Sequence, residues 1–269
     1  MKPGLDDKIL TAWNALMISA YADAYQVFGK KDYLQKAVKA AEFIQKKMMN
    51  KDYALKRSYK DGNAKIKAFS DDYALSSEAF IKLYQVSGDE NYLMTAKKLT
   101  DYLLKHFYDK SSGMFFYTSD NDAALTVRQN EISDNVIPSS NSVIAKNLYM
   151  LGLYFTDELY SETAKRMIAG MEENTLSNIN YFAGWASLNL HFSKPSYELV
   201  IIGKDYKYFA QELLKSYRPD IIFAGSKKES NIPIFKDRYK EGETLIYVCK
   251  NNVCNQPVKT LKEAIVLLK

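Results

Sequence analysis

Residues 25–37 read YQVFGKKDYLQKA and residues 84–96 read YQVSGDENYLMTA. Tyr, Gln, Val, Gly, Tyr, Leu and Ala recur at a fixed offset of 59. A weaker third copy ends in Tyr160-Ser161-Glu162-Thr163-Ala164. A repeat of this period is a supersecondary unit that buries its apolar face by stacking on copies of itself. Upstream of the first copy, Ile9, Trp13, Leu16, Met17, Ala20, Ala24 and Val27 follow helical spacing, and Gly29 stands where a left-handed residue ends a helix. Downstream, Tyr33, Ala37, Ala40, Ala41 and Ile44 form the stripe of a returning helix. The unit is therefore a helical hairpin. Residues 71–86 with 90–106 make a second, 139–155 with 157–171 a third, and a helix over 180–191 begins a fourth.

First helices are rich in small and aromatic residues, whereas second helices carry Lys36, Lys39, Lys46 and Lys47, then Lys97, Lys98 and Lys105, on one face. That contrast predicts an inner and an outer ring of helices. The expected fold is mainly α: an incomplete (α/α)6-type toroid over residues 1–193, followed by a small α/β unit over 194–269. Two strand-rich segments, 54–69 around Asp61-Gly62 and 113–128 around Ser119–Asp122, predict β-hairpins at the toroid mouth. In the C-terminal unit, strands are expected at 196–202, 220–224 and 244–249, and helices at 205–217 and 260–268. An open toroid leaves apolar inner flanks, with Ile9, Leu16 and Trp185 expected there, and so predicts self-association.

The 269 residues are 47% hydrophobic and 26% charged, which excludes a disordered chain and leaves enough apolar sequence for a large core. No apolar run reaches the ~20 residues that span a bilayer, so no membrane partner is expected. The N-terminal MKPGLDDKIL has Asp6, Asp7 and Lys8 where a secretory leader needs apolar residues. Residues 1–193 balance 23 basic against 23 acidic residues, so the net +5 lies wholly in the C-terminal unit. With Arg218 and Arg238 its only arginines, that unit reads as lysine-solvated rather than nucleic-acid-binding. Cys249 and Cys254 have neither redox C-x-x-C nor zinc spacing and are expected as small buried residues of a reduced, cytoplasmic protein. No G-x-G-x-x-G, Walker lysine or metal-ligand cluster occurs, so no cofactor and no metal is expected.

Four segments in order, LDDKILTAWNALMISA (5–20), AFSDDYALSSEAFIKLYQVSGD (68–89), VRQNEISDNVIPSSNSVIAKNL (127–148) and IYVCKNNVCNQP (246–257), resemble the C-terminal half of the bacterial YyaL and spermatogenesis-associated thioredoxin-like family. Ser140 stands where relatives often have Gly. The resemblance implies a toroid similar to six-hairpin glycosidases and sugar epimerases, in proteins that begin with a thioredoxin-like domain this sequence lacks.

Candidate chemistry follows from topology. Successive inner helices run parallel, so their N-termini converge on one mouth, bringing Asp6-Asp7-Lys8, Ser70-Asp71-Asp72-Tyr73 and Ser139-Ser140-Asn141 together over Trp13, Tyr21, Tyr73 and Tyr84. Asp6, Asp7, Asp71 and Asp72 are the candidate catalytic carboxylates, because paired carboxyls with split pKa values can serve as acid and base in glycoside cleavage. The competing reading is helix capping, for which one side chain suffices. Lys8, Trp13, Asn14, Tyr73, Arg128, Ser139, Ser140 and Asn141 are candidate sugar contacts: Trp13 as a stacking plane or a core residue, Arg128 as an anion clamp or a surface ion pair. His106 ends an outer helix and His191 ends an inner helix at the end away from the mouth; neither sits where epimerase chemistry needs a histidine, which argues against an epimerase. The expected function is a carbohydrate-active or carbohydrate-binding, glycoside-hydrolase-like toroid; the alternative is a non-catalytic module serving the thioredoxin-like domain.

Overall fold

The structure, a computed structural model, describes residues 5–123, 125–194, 196–250 and 253–269. The first four residues of the stretch read against a leader, and the two asparagines inside the tail motif, lie outside these. The inner helices are α1 (Thr11–Phe28), α3 (Ser70–Ser87), α5 (Ser140–Phe155) and α7 (Ala183–Ser193). The outer helices are α2 (Lys31–Phe43), extended by a π-helical turn to Met48, α4 (Glu90–His106) and α6 (Glu158–Ser177). Helix α1 packs on α3, α3 on α5 and α5 on α7, while α2, α4 and α6 each lie against their own inner partner. This is the partial toroid that the repeat predicts.

The repeat works through its turns. Gly29 and Gly88 adopt φ of 66° and 72° and donate N–H to the carbonyls of Tyr25 and Tyr84. In the third copy Thr156 takes the same left-handed conformation at φ 51°. Asp89 and Asp157 then cap the returning helices by accepting from Asn91 and Tyr160 N–H, each cap contributing about 1 kcal/mol. Gly88 has a second constraint: a Cβ there would meet the Tyr206 hydroxyl at 1.7 Å.

Helices α3 and α5 are buried almost all round, whereas α1 covers only one side of itself. Its outer stripe exposes Trp13 (63%), Met17 and Val27, so an apolar flank lies open beside the expected Ile9, but the expected Leu16 packs against the core. Trp185 does not belong to it. Its ring is 1% exposed and its indole donates to the Ile132 carbonyl at 2.7 Å.

The 54–69 segment forms β2 (Lys56–Lys60) and β3 (Asn63–Lys67) around left-handed Asp61 and Gly62. A two-residue strand not foreseen, β1 (Ile9–Leu10), adds to its edge. The second expected hairpin, 113–128, is absent among the described residues of that range. Single bridges, Tyr108 with Phe115 and Phe116 with Asn130, replace a ladder, because side chains of α5 and Arg128 take up the carbonyls that a partner strand would use.

The C-terminal sheet has order β5-β4-β6-β7, with β4 (Tyr197–Ile202) parallel to β5 (Ile221–Ser226) and antiparallel to β6 (Leu245–Lys250). Helices α8 (Tyr206–Leu213) and α9 (Leu261–Leu267) cover one face. The other face is shared with the toroid: Val200, Ile202, Ile222 and Ala224 belong to the same core as the inner helices. Tyr154 Oη donates to the Phe223 carbonyl at 2.6 Å, tying the end of α5 to β5. A fourth strand, β7 (Val253–Cys254), extends the three expected. It places Cys254 opposite Cys249, and the two form a disulfide. They are therefore not a pair of reduced, buried residues; only Cys249 is buried.

Candidate active site

At the mouth, the four aspartates do not form one site. Helix α1 begins at Thr11, so Asp6 and Asp7 precede it and β1 alike. Asp6 is 70% exposed and pairs with Lys8 at 3.3 Å; Asp7 pairs with Lys60 of β2 at 2.6 Å. Asp71 and Asp72 are buried. Asp72 accepts from Ala12 N–H at 3.0 Å through one oxygen, and from Phe69 N–H at 3.0 Å and Arg57 at 2.9 Å through the other. Asp71 takes Arg57 on both oxygens at 3.0 and 3.2 Å and also accepts the Asp72 N–H. One arginine thus bridges both carboxylates, with its guanidinium 4.8 Å from the Phe69 ring centre. Burial and the Asp71 charge push the Asp72 carboxyl up to about 7, against the pull of Arg57 and the two N–H groups. With both oxygens occupied and no exposed surface, Asp72 joins α1, β2 and α3 and does not reach a sugar.

The neighbouring candidates are occupied in the same way. Tyr73 Oη accepts from Leu55 N–H at 2.8 Å, and its ring stacks on Tyr102. Burial raises its phenol far above the usual range. Asn14 donates to the Leu10 carbonyl at 2.8 Å. Ser139 caps α5, Ser140 N–H donates to Glu131 at 3.0 Å, and Asn141 holds both Phe115 backbone groups at 2.7 and 2.9 Å. Arg128 is neither an anion clamp nor a surface ion pair; it donates to the carbonyls of His106 and Thr118 over the Phe116 ring. Tyr84 points to the other end, toward the Gly225 carbonyl. Most polar groups at the mouth are taken up within the chain, but the buried Ser140 Oγ has no partner, and a smaller pocket of about 350 Å³ lies beside it against Tyr117, Gln129 and Glu131.

The opposite half of the inner ring is open. A cavity of about 540 Å³ lies between the inner helices and the loop leading into β5. Each inner helix contributes residues one turn apart: Asp23 and Val27 of α1, Glu78, Lys82 and Gln85 of α3, Lys146 and Tyr149 of α5, Ser187 and His191 of α7. Lys146 pairs with Glu78 at 2.8 Å and Lys82 with Asp23 at 2.6 Å. Burial draws the Glu78 carboxyl upward, but the Lys146 and Lys82 charges outweigh it and hold the group below the usual carboxylate range. Glu78 in turn raises Lys146. Burial and the Lys146 charge lower His191, whose Nδ1 lies 2.5 Å from Ser196 Oγ. The His191 ring packs beside Tyr149 at 5.7 Å.

Apart from His191, these residues are not among the candidates for chemistry that the sequence marks, although they carry a signal. Beyond their first turns the inner helices contain four Asp, Glu, Lys or Arg residues, Asp23, Glu78, Lys82 and Lys146, and all four line the cavity. Charges inside otherwise apolar helices are costly unless paired. Among the described residues no group of three His, Cys, Asp or Glu side chains is arranged to hold a metal, and no helix is long and apolar enough to cross a membrane.

An arc of helical hairpins around a polar cavity defines the six-hairpin toroid class. Solved structures with the same fold include the GH76 α-mannanase BT2949 of Bacteroides thetaiotaomicron (TM-score 0.56, 16% identity, 79% of this chain and 59% of that one). Cellobiose 2-epimerase from Bacillus thermoamylovorans is another (TM-score 0.51, 16% identity, 60% and 44%). Within that class, residues 8–167 match the model of the β-L-arabinofuranosidase GH127 catalytic domain, and the chain belongs to this family. Curated relatives include an uncharacterized Caenorhabditis elegans protein, 28% identical over 97% of this chain and 38% of its own length. Human spermatogenesis-associated protein 20 is 26% identical over 96% and 35%. The family resemblance drawn from the four motifs is therefore met, and the chain spans little more than a third of these relatives.

Proposed function

We propose that this chain is a carbohydrate-binding segment of a glycoside-hydrolase-like toroid, and that the sugar sits in the cavity between α1, α3, α5 and α7 rather than at the mouth. The observation that carries this reading is the convergence on one 540 Å³ cavity of Asp23, Glu78, Lys82 and Lys146 from otherwise apolar inner helices. Paired carboxylates and ammonium groups supply acceptors and donors for sugar hydroxyls, and Tyr149 with His191 supplies flat surfaces for a ring. The family's arabinofuranosides and the mannosides of the toroid neighbour define the classes to try. Binding is better supported than cleavage. Two-carboxylate hydrolysis keeps one carboxyl protonated, whereas the lysines hold Glu78 ionised and the raised Asp72 is sealed in the fold. Calorimetric titration with arabinofuranosides and mannosides tests the reading. Glu78→Gln should weaken binding at least about tenfold, roughly 1.4 kcal/mol, while Asp7→Asn leaves it unchanged. Equal binding by both variants, or loss in Asp7→Asn alone, returns the site to the mouth.

A second reading, a non-catalytic module, has its own observation: the uncovered apolar stripe of Trp13, Met17 and Val27 on α1. A helix flank of this kind is a docking seam for further protein. The two readings are compatible, since a partner on that flank would also wall the cavity at Asp23 and Val27.

A further inference from the structure

The Cys249–Cys254 bridge has no part in the cavity or the mouth. It joins residues directly opposite one another across β6 and β7, five apart in sequence. Closing so short a loop removes little chain entropy. Backbone bonds hold the same segment without it: Ile246 and Val258 exchange N–H···O bonds at 2.9 Å each, and Asn255 N–H donates to the Val248 carbonyl at 3.1 Å. As a staple the bridge is largely redundant.

Its two sulfurs have opposite surroundings. Cys249 is 1% exposed in β6, directly across from Glu198 of β4. Cys254 lies exposed on the two-residue edge strand. Arg238 Nη2 donates to Cys254 Sγ at 3.2 Å. That guanidinium is held over the Tyr247 ring at 5.4 Å, and Tyr247 Oη donates to the Arg238 carbonyl at 3.0 Å. Lys250, the residue after Cys249 in β6, holds its ammonium over Tyr197, and the Glu198 charge also acts on Arg238. A guanidinium against a sulfur favours its thiolate, whereas burial beside a carboxylate disfavours one.

We infer that Cys249–Cys254 is a thiol–disulfide exchange site, with Cys254 the exchanging sulfur and Cys249 the resolving one. A thiolate of an external dithiol attacks Cys254 Sγ. The donor–Cys254 bond forms as the Cys249–Cys254 bond breaks, and Cys249 leaves with the electron pair and takes a proton from solvent. The donor's second thiolate then attacks the donor sulfur of the mixed disulfide, releasing Cys254 as a thiolate beside Arg238. The dithiol is oxidised to a disulfide and the cysteine pair is reduced by two electrons. In reverse, the Cys254 thiolate attacks an oxidised partner and Cys249 closes the bridge.

The test uses the folded chain with dithiothreitol and glutathione as probes, followed by alkylation and mass spectrometry. The bridge should open without denaturant. The Cys254 thiolate of Cys249→Ser should attack oxidised glutathione and be trapped as the mixed disulfide with release of one reduced glutathione, and Cys254 of the reduced unaltered chain should alkylate with a midpoint below the ordinary thiol value of about 8.5. Arg238→Gln should slow that alkylation at neutral pH by roughly three- to tenfold, with partial recovery in Arg238→Lys. A bridge that resists dithiothreitol until urea unfolds the chain overturns the inference. So does a midpoint at or above 8.5 in the unaltered chain, a readout that needs no variant to fold.

Discussion

The two ends of the inner ring use charge in opposite ways. At the mouth, Asp71 and Asp72 share Arg57, the Ala12 N–H of α1 and the Phe69 N–H that precedes their own helix, and none of the carboxylate oxygens is left over. At the far end, Glu78–Lys146 and Asp23–Lys82 pair side chain to side chain across the faces of a cavity. Backbone donors cannot move away without unfolding a helix start, whereas a lysine can swing aside for a ligand. Charge density alone therefore does not mark a site; the identity of the partners does.

The largest expected effect breaks the mouth. Asp72→Ala leaves the Ala12 and Phe69 N–H groups without an acceptor and takes one of the two carboxylates from Arg57, which keeps Asp71, and urea unfolding should show a loss of about 2–4 kcal/mol. Glu78→Gln keeps an amide oxygen for Lys146 in a pair that faces the cavity, and should cost less, about 1–2 kcal/mol, while weakening sugar binding. Comparable losses in the two variants would erase the contrast between the ends. The next effect concerns the flank. Sedimentation of the chain at rising concentration should show self-association, and Trp13→Ser with Met17→Ser should suppress it; a clean monomer before substitution would show the stripe to be inert.

The smallest effect is a pH dependence. His191 is lowered in the folded state from its unfolded 6.5, so the native protein binds fewer protons than the unfolded chain. Its share of stability is complete above pH 6.5 and is lost as pH falls toward the lowered value. The melting temperature should decline over that interval, and His191→Gln should flatten the decline. An unchanged slope would place His191 in solvent rather than in the cavity wall.

Much of the fold was legible because it is local. Gly29 and Gly88, the repeated tyrosines and the lysine faces of α2 and α4 each act within a few residues of themselves. The pairing at the mouth was not legible, since Asp72 meets Ala12 across 60 positions and Arg57 across 15, and a doubled Asp looks the same whether it caps or reacts. Nor was the 113–128 segment, where bonds from α5 and Arg128 override a hairpin pattern. The disulfide was hidden because cross-strand pairing, and not C-x4-C spacing, brings Cys249 to Cys254. The cavity does have a sequence signal, the lone charges Asp23, Glu78, Lys82 and Lys146 inside apolar helices, but it is spread over three helices and is weaker than a doubled Asp at a helix start.

Hydrogen exchange of the chain with and without a saturating arabinofuranoside or mannoside ligand tests the central claim most directly. The account predicts slower exchange in the segments of α3 around 78–85, α5 around 146–150 and α7 around 187–191, with residues 5–14 and 69–73 unaffected. Protection confined to 5–14 and 69–73 would contradict it and restore the mouth as the site.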